Sequence, residues 1–294
     1  MIKLEAKLKI ELKNKTVLIT GGAGSIGLHL TRRLLDYPIK SIRILDIDEN
    51  ALFQLGRKLN NPKIRLLLGN ILDKERVDLA INDVDFIFHL AAIKNIEISE
   101  FNPIETIDSN INGTVNLIKS AMKNKPKKFL NISTDKAVEP TTLYGTTKLL
   151  NEKLVTWAGQ HNEKIKFATV RLGNVFESRG NVFDVWNEEV KEDNSISVTD
   201  PNMERYYFHV DDAVEFILNS IPLINHGEII VPKMKLYKIK DLASKVSNKQ
   251  KTIGVRRGEK MKEKLISEVE LKFAKNMKDM WIIIPKHNHE NLTS

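Results

Sequence analysis

A chain of 294 residues, 41% hydrophobic and 29% charged, has the make-up of a folded soluble protein, with length for one large α/β domain or a domain plus an annex. The absence of cysteine excludes disulfides and thiolate metal sites, and agrees with a reducing cytoplasm. The net charge of +8 comes from lysines dispersed along the chain, as at 123–128 and 245–251, which reads as a solvated surface rather than a nucleic-acid track.

In chain order, residues 1–14 alternate apolar and charged side chains and read as a short strand or helix leading in. They lack the apolar core of a signal peptide, and no later run approaches the ~18 apolar residues of a membrane span. The expectation is a cytoplasmic protein with no membrane partner. KTVLIT (15–20) is a buried-strand run, followed by Gly21-Gly22-Ala23-Gly24-Ser25-Ile26-Gly27 and the helical pattern LHLTRRLLDY. Strand, glycine loop and helix together form the context in which such spacing marks a dinucleotide site. Glycines lack Cβ atoms, so backbone N–H groups at a helix N-terminus can close on a pyrophosphate, aided by the helix dipole. Gly21, Gly24, Ser25, Ile26 and Gly27 are assigned to that cradle. The next strand, SIRILDID, carries Asp46 nineteen residues after Gly27, where an acidic side chain meets the adenosine ribose 2′-hydroxyl. A carboxylate there repels a 2′-phosphate, so the cofactor reads as NAD. NADP stays open because Arg43 or Arg57 can fold back.

IRLLLGN leads to Asn70 and Ile71, where adenine edges are read, and DVDFIFHLAA (83–92) ends in Ala91 and Ala92, small enough for close backbone approach to the cofactor. His89 in that run reads as a packed core residue. KKFLNIST then delivers Ser133-Thr134-Asp135-Lys136, and LYGTTKLLNEKL places Tyr144 and Lys148 on one helix face, about 5–6 Å apart at Cβ. A free Tyr titrates near ~10, so Tyr144 needs a cation beside it to act as a base, and Lys148 can supply one. KFATVRLGNVF (166–176) is a sixth strand. The alternation of strand and helix predicts an α/β fold with a Rossmann-type doubly wound parallel sheet over 1–176. From 177 to 294 the alternation breaks (SISVTD, DDAVEFILNS, EIIVP, IKDLASKV), which predicts a smaller C-terminal α/β substrate-binding annex able to return elements to the first domain. Arg171, Arg179, Arg205, Arg256 and Arg257 fall there or at its border, and their forks suit phosphate. FDVWNEEV, ERYYF and DMWIII read as annex core.

GGAGSIG, STDKAVEPTTLYGTTK, RLGNVFESRG, VTDPNMERYYFHVDD, EIIVPKMKLYKIKDLA and GVRRGEKMKEKLIS together resemble the extended short-chain dehydrogenase/reductases. Within them the chain looks like the CapD-like nucleotide-sugar 4,6-dehydratases acting on UDP-N-acetylglucosamine, particularly the soluble inverting enzymes that open pseudaminic acid pathways. The resemblance spans about residues 14–285. The related dTDP-glucose dehydratases carry Asp-Glu where this chain has Asp135-Lys136, which points to the aminosugar branch.

By position, the resemblance implies that Tyr144 takes the proton of the sugar 4-hydroxyl and that Lys148 binds the nicotinamide ribose. Lys136 would remove the C5 proton, Asp135 would protonate the departing C6 hydroxyl, and Thr134 would bond near O4. Lys94 matches a residue beside the nicotinamide and sugar, and Asn174, Arg179, Arg205, Arg256 and Glu259 match substrate-binding stretches. Glu97, Asn70, Glu177, Asn181 and Asp184 depart from the family pattern. The resemblance also implies a homo-oligomer, and no metal site is expected. The chemistry asks for a Lys136 brought from ~10.4 to about 7–8 by burial, and for an Asp135 raised by burial; otherwise the two simply pair. A C4 epimerase or 4-keto reductase needs Tyr144 and Lys148 but not that pair. A catalytically silent dinucleotide sensor needs none of the five.

Overall fold

The apolar runs are the strands of one large sheet. In this computed structural model, which describes residues 2–285, they are β1 (Thr16–Thr20), β2 (Ser41–Asp46), β3 (Ile64–Leu68), β4 (Phe86–His89), β5 (Lys128–Thr134) and β6 (Lys166–Leu172). Then come β7 (Asn174–Val175), β8 (Ile196–Val198), β9 (Glu204–Phe208), β10 (His226–Pro232), β11 (Lys235–Lys238), β12 (Gln250–Thr252), β13 (Ala274–Asn276) and β14 (Met280–Ile283). The nine-stranded sheet has the order β13-β14-β10-β6-β5-β4-β1-β2-β3. Every pair from β3 to β10 is parallel, and β14 and β13 close the far edge antiparallel.

A parallel sheet carries helices on both faces, so its central strands must be apolar on both. β1 is buried throughout, and the side chains divide into two cores. One joins the sheet to the helices 2–12, 25–34 and 210–220 through Leu8, Leu12, Leu30, Leu34, Val214 and Ile217. The other joins it to the helices 74–81, 113–124 and 143–160 through Val77, Ile81, Leu117, Ile118, Val155 and Ala158. Each such side chain stabilises the fold by about 1.5–3 kcal/mol on burial. Residues 2–12 thus resolve as a helix: Leu8 and Leu12, one turn apart, are buried, while Lys9 and Ile10 between them are exposed. The sheet grows in opposite directions from β1 and β4, so a crevice opens beyond their carboxyl ends.

Beyond residue 176 the chain builds two small sheets, β11-β9-β7 and β12-β8, around Trp186, Ile196, Val198, Met203, Tyr207 and Leu242. FDVWNEEV and ERYYF supply this core, as expected from their apolar content. DMWIII does not. Its residues form β14, which pairs with β10 (Ile229 with Ile283, Val231 with Trp281), so the segment completes the large sheet.

Arg171 also departs from its sequence reading. It lies in β6 with no exposed surface, and its guanidinium forks onto Glu152 (3.0 and 2.7 Å) and Glu270 (3.1 and 2.7 Å), with Leu265 O at 2.9 Å. Burial disfavours its charge, but the two carboxylates outweigh that and hold the guanidinium above its ordinary value. Its donors are used inside the fold, so it meets no phosphate. Arg171→Met strands two carboxylates, one of them fully buried, and is expected to cost about 3–5 kcal/mol, read as a lower urea midpoint.

Candidate active site

The crevice is built from four loops at the carboxyl ends of strands. The first follows β1. Gly21 has φ +66°, and a Cβ there would stand 2.6 Å from Ala91 N; a Cβ on Gly27 would stand 2.4 Å from Gly22 O. Only glycine lets this loop seat against both the Ala91-Ala92 turn and itself. Gly24 begins the helix Ser25–Leu34, and no side chain caps it, so the helix start presents N–H groups to the crevice, the arrangement that accepts a pyrophosphate. Ile26 packs beneath, against the core. The residues present therefore fit a dinucleotide.

Asp46 ends β2 beside that loop, accepting from Ala23 N at 3.0 Å and from Asp48 N at 3.1 Å. Asn70 is exposed and accepts from Leu72 N at 2.9 Å, while the Ile71 side chain is buried, leaving its backbone on the crevice side. Arg43 is committed to Ala80 O (2.9 Å) and Asn82 O (2.6 Å), and Arg57 lies over the Phe53 ring.

The second loop follows β4. Here Asn110, which the sequence reading missed, holds Ile93 at both ends: Oδ1 accepts from Ile93 N at 2.8 Å and Nδ2 donates to Ile93 O at 3.0 Å. The same Nδ2 reaches Thr147 Oγ1 at 3.0 Å, so one amide ties the loop preceding Lys94 to the helix of Tyr144. Asn110 sits in a single π-helical turn, Asp108–Asn112, a form frequent at functional sites. His89 is buried between Thr20 (2.8 Å) and Thr114 (2.9 Å), and burial pushes its pKa down to about 3. Thr114 gives its own proton to Asn110 O at 2.6 Å, so it accepts from His89 Nε2–H, and Nδ1 accepts from Thr20. His89 is a neutral structural histidine.

The third loop carries the chemistry-bearing set. Thr134 ends β5, and Asp135–Ala137 form a short turn before Thr142 caps the helix Leu143–Gln160 through Gly145 N at 3.2 Å. Asp135 has no exposed surface; its Oδ1 accepts from Thr134 Oγ1 and from Lys136 Nζ, both at 3.0 Å. Lys136 Nζ also donates to Asn174 Oδ1 at 3.2 Å, and Asn174 is held by Tyr206 O at 3.1 Å. The expectation of a Lys136 lowered by burial is corrected here. Burial does act downward, but Asp135, Glu263 and Tyr144 together hold the ammonium above its ordinary value. Burial raises Tyr144, against the pull of Lys136 and a hydrogen bond with Thr134. Lys148, one turn on, is buried with Nζ on Ile132 O at 2.6 Å, and burial lowers it to about 8, with Glu152 opposing. The cation felt by the phenol is thus Lys136 rather than Lys148.

The fourth loop, 177–181, lies across the first two. Arg179 N donates to Ser25 Oγ at 2.9 Å, its guanidinium reaches Ala23 O at 2.8 Å, and Lys94 Nζ donates to Arg179 O at 2.9 Å. Arg205 and Arg256 stand apart from it. Arg205 donates to Glu204 O at 3.0 Å, Arg256 pairs with Glu97 at 3.3 Å, and Glu259 accepts from Arg256 N at 3.3 Å. The structure therefore gathers Thr134, Asp135, Lys136, Tyr144, Lys148 and Asn174 in one place, Lys94 and Arg179 above the glycine loop, and Arg256 and Glu259 on a separate segment. Among the described residues no group of His, Asp and Glu could hold a metal, and no helix is long and apolar enough to cross a membrane.

Residues 17–285, which carry the glycine cradle, the Tyr/Lys helix and the Asp135–Lys136 pair, match the model of a family described as polysaccharide biosynthesis protein. The chain belongs to that family. Within this polysaccharide-biosynthesis family it is 38% identical to a UDP-N-acetylglucosamine 4,6-dehydratase (inverting) of Campylobacter jejuni, over 92% of this chain and 83% of the other. It is 37% identical to a UDP-glucose 4-epimerase of Rickettsia bellii, over 90% and 81%. Its fold superposes on the X-ray structure of Pen from Bacillus thuringiensis with a TM-score of 0.90 at 35% identity, covering 94% and 91% of the two chains. The family is one of short-chain dehydrogenase/reductases that includes nucleotide-sugar 4,6-dehydratases and epimerases.

Proposed function

We propose that this chain is a nucleotide-sugar 4,6-dehydratase acting on UDP-N-acetylglucosamine with NAD. The observation that carries the reading is the buried pair of Asp135 and Lys136, 3.0 Å apart, beside Tyr144. A 4-epimerase or 4-keto reductase has work for Tyr144 and Lys148 only, so a buried acid and base at this place favour elimination. NAD is supported by Asp46 at the end of β2 and by the commitment of Arg43 elsewhere.

Bound in the glycine cradle, the dinucleotide supplies the hydride acceptor for C4 and the donor for C6. The chain's own residues move the protons. Tyr144, ionised, takes the 4-hydroxyl proton, and Thr134 holds O4. A ketone at C4 then acidifies the C5 proton. One proton passed from Lys136 Nζ to Asp135 along their hydrogen bond turns the ion pair into a neutral amine and a carboxylic acid. The amine removes the C5 proton, the acid protonates O6 as it leaves as water, and the ammonium–carboxylate pair is restored; as hydride returns to C6, C5 takes a proton, from the Lys136 ammonium with retention or from water on the opposite face with inversion. Lys94, Asn174, Arg179, Arg205, Arg256 and Glu259 are proposed to bind the nucleotide sugar, the arginines meeting its diphosphate. The homo-oligomer implied by the resemblance is part of this reading; exposed Phe101, Ile104 and Trp157 on helices flanking the site are surface that it would cover.

The test is proton NMR of UDP-N-acetylglucosamine incubated with the protein in D2O. A new C6 methyl signal with deuterium at C5 is expected, C6 carrying the hydrogen taken from C4, and the ring couplings then report whether C5 inverted. A C4 epimer with no deuterium at C5 would replace the dehydratase with the epimerase reading. No change in several nucleotide sugars, with dinucleotide bound, would leave a dinucleotide sensor.

A further inference from the structure

The loop 177–181 contains two of the residues that depart from the family pattern, Glu177 and Asn181, and a third, Asp184, follows it closely. Each helps to hold the loop in place. Asn181 caps the helix Val182–Asp193, accepting from Phe183 N at 2.7 Å and Asp184 N at 3.1 Å, while its amide donates to Ser178 O at 2.7 Å. Asp184 accepts from Gly180 N at 2.9 Å, and Gly180 has φ +68°. These bonds set the shape of the loop. Glu177 fastens it: Oε1 accepts from His209 Nδ1 at 2.7 Å, and Oε2 accepts from Val210 N at 2.8 Å.

The anchor is a core helix. Val210–Ser220 buries Val214 and Ile217 against the large sheet, and His209 at its start makes no side-chain cap of its own. Glu177 therefore caps that helix from another part of the chain, meeting one of the N–H groups that a helix start leaves open. Two residues on, the loop reaches the glycine cradle. Arg179 N donates to Ser25 Oγ at 2.9 Å, its guanidinium to Ala23 O at 2.8 Å, and Lys94 Nζ to Arg179 O at 2.9 Å. One carboxylate thus stands between a rigid helix and the residue that bridges the cradle.

We propose that Glu177 is a positioning residue for Arg179: with His209 and the start of the helix Val210–Ser220 it latches the loop 177–181 over the glycine cradle, and a seated dinucleotide leaves when that latch opens. The proposal rests on the dinucleotide part of the proposed function, whereas the latch itself needs no ligand. A reaction that returns to C6 the hydride it took from C4 has no need to exchange its dinucleotide between turnovers, so a loop that slows release does not limit the rate.

The latch responds to pH. His209 is faced by Glu177 from the loop, by the Phe176 ring at 4.9 Å, and by Asp211 and Asp212 on its own helix; Asp211 is bonded in turn to His29 at 2.9 Å. The bond to Glu177 holds His209 above its ordinary value of 6.5. Burial disfavours the Glu177 charge, but the bonds from His209 and Val210 N outweigh it and keep the carboxyl below its ordinary value. The charged pair is therefore complete below 6.5 and is lost as pH rises through the raised His209 value. Its side chains are 66% and 46% exposed, so it contributes as a surface pair does.

The test pairs stopped-flow displacement of NADH, followed by nicotinamide fluorescence, with hydrogen exchange of residues 177–181 in ligand-free protein, expressed as protection factors. Wild type should release NADH about two- to fivefold faster above the His209 midpoint than below it. Glu177→Ala loses both the pair and the cap, and should release NADH about tenfold faster than wild type, with the protection of the Arg179 and Gly180 amides lost. His209→Asn places an amide donor where Nδ1 stood and leaves the Val210 N–H bond in place, so it keeps the proposal testable if Glu177→Ala fails to fold. It should lack the pH-dependent rise that wild type shows. If Glu177 serves the helix alone, Glu177→Ala lowers the melting temperature while release and loop protection stay as in wild type, and that result overturns the proposal. So does a wild-type rise in release that His209→Asn retains in full. A protein that binds no NADH, yet loses loop protection in Glu177→Ala, would sink the dinucleotide reading and leave the latch standing.

Discussion

Lys136→Met is expected to stop the reaction after C4 has been oxidised. The substitution keeps the length of the side chain and removes the amine that, among the described residues, donates to Asp135 at the end of β5. Tyr144 retains its hydroxyl and Lys148 its seat on Ile132 O; without the Lys136 cation the phenol ionises less readily, so C4 oxidation slows but the 4-hydroxyl can still lose its proton. The C5 proton then has no acceptor. Formation of the 6-deoxy product should fall by about 10²–10⁴-fold, the range for a lost general base. A 4-keto sugar with its C6 hydroxyl intact should be trapped by borodeuteride, and no deuterium should enter C5 in D2O. The fold is expected to survive, because Lys136 belongs to neither core that joins the sheet to its helices. A melting curve separates that outcome from collapse. If the variant still forms 6-deoxy sugar within tenfold of the wild-type rate, Lys136 is not the base and the carriage of protons must be reassigned.

The elements that position this site were legible in the sequence for physical reasons. Parallel strands buried on both faces must be near-continuous apolar runs, so β1, β2, β4, β5 and β6 stand out as KTVLIT, SIRILDID, DVDFIFHLAA, KKFLNIST and KFATVRLGNVF, while the edge strand β3 (IRLLLGN) reads the same although Leu66 and Leu68 are exposed. The glycine loop is legible because the Gly21 and Gly27 positions leave no room for a Cβ. What was not legible depends on contacts across the chain. DMWIII reads as any apolar cluster, and only pairing with β10 places it in the large sheet. Arg171 reads like the other arginines, and only Glu152 and Glu270, one before and one far after it, turn it inward. Asn110 carries no pattern at all: it acts from a π-helical turn, through contacts with Ile93 and Thr147. Lys136 shows the same limit in its electrostatics. Burial was foreseeable and does act to lower it, but three partners set by the fold reverse the balance.

Tyr144→Phe is expected to stop the reaction on the other side of the ketone. Removing one oxygen from a half-buried ring perturbs packing little, yet it deletes the acceptor for the 4-hydroxyl proton. No 4-keto sugar should be trapped, and overall turnover should fall by about 10²–10⁴-fold. The pH dependence identifies the partner. Lys148, lowered by burial to about 8, is a cation below that pH and neutral above it. Lys148 is proposed to hold the nicotinamide ribose rather than to be the cation beside the phenol, so the first step should slow as pH rises through about 8 because the cofactor loses that charged hold. Lys148→Met should be slow below pH 8 and show no such fall, and Tyr144→Phe should be low throughout. Stability runs with the opposite sign. A lysine whose folded pKa lies near 8 and whose unfolded value is ~10.4 leaves the unfolded chain with more bound protons between those values, so its contribution to stability improves as pH rises through that window. A wild-type rate that falls above pH 8 while Lys148 adds to the melting temperature would locate the loss in the missing cation. A fall shared by rate and Lys148-dependent stability would instead place Lys148 in the architecture alone.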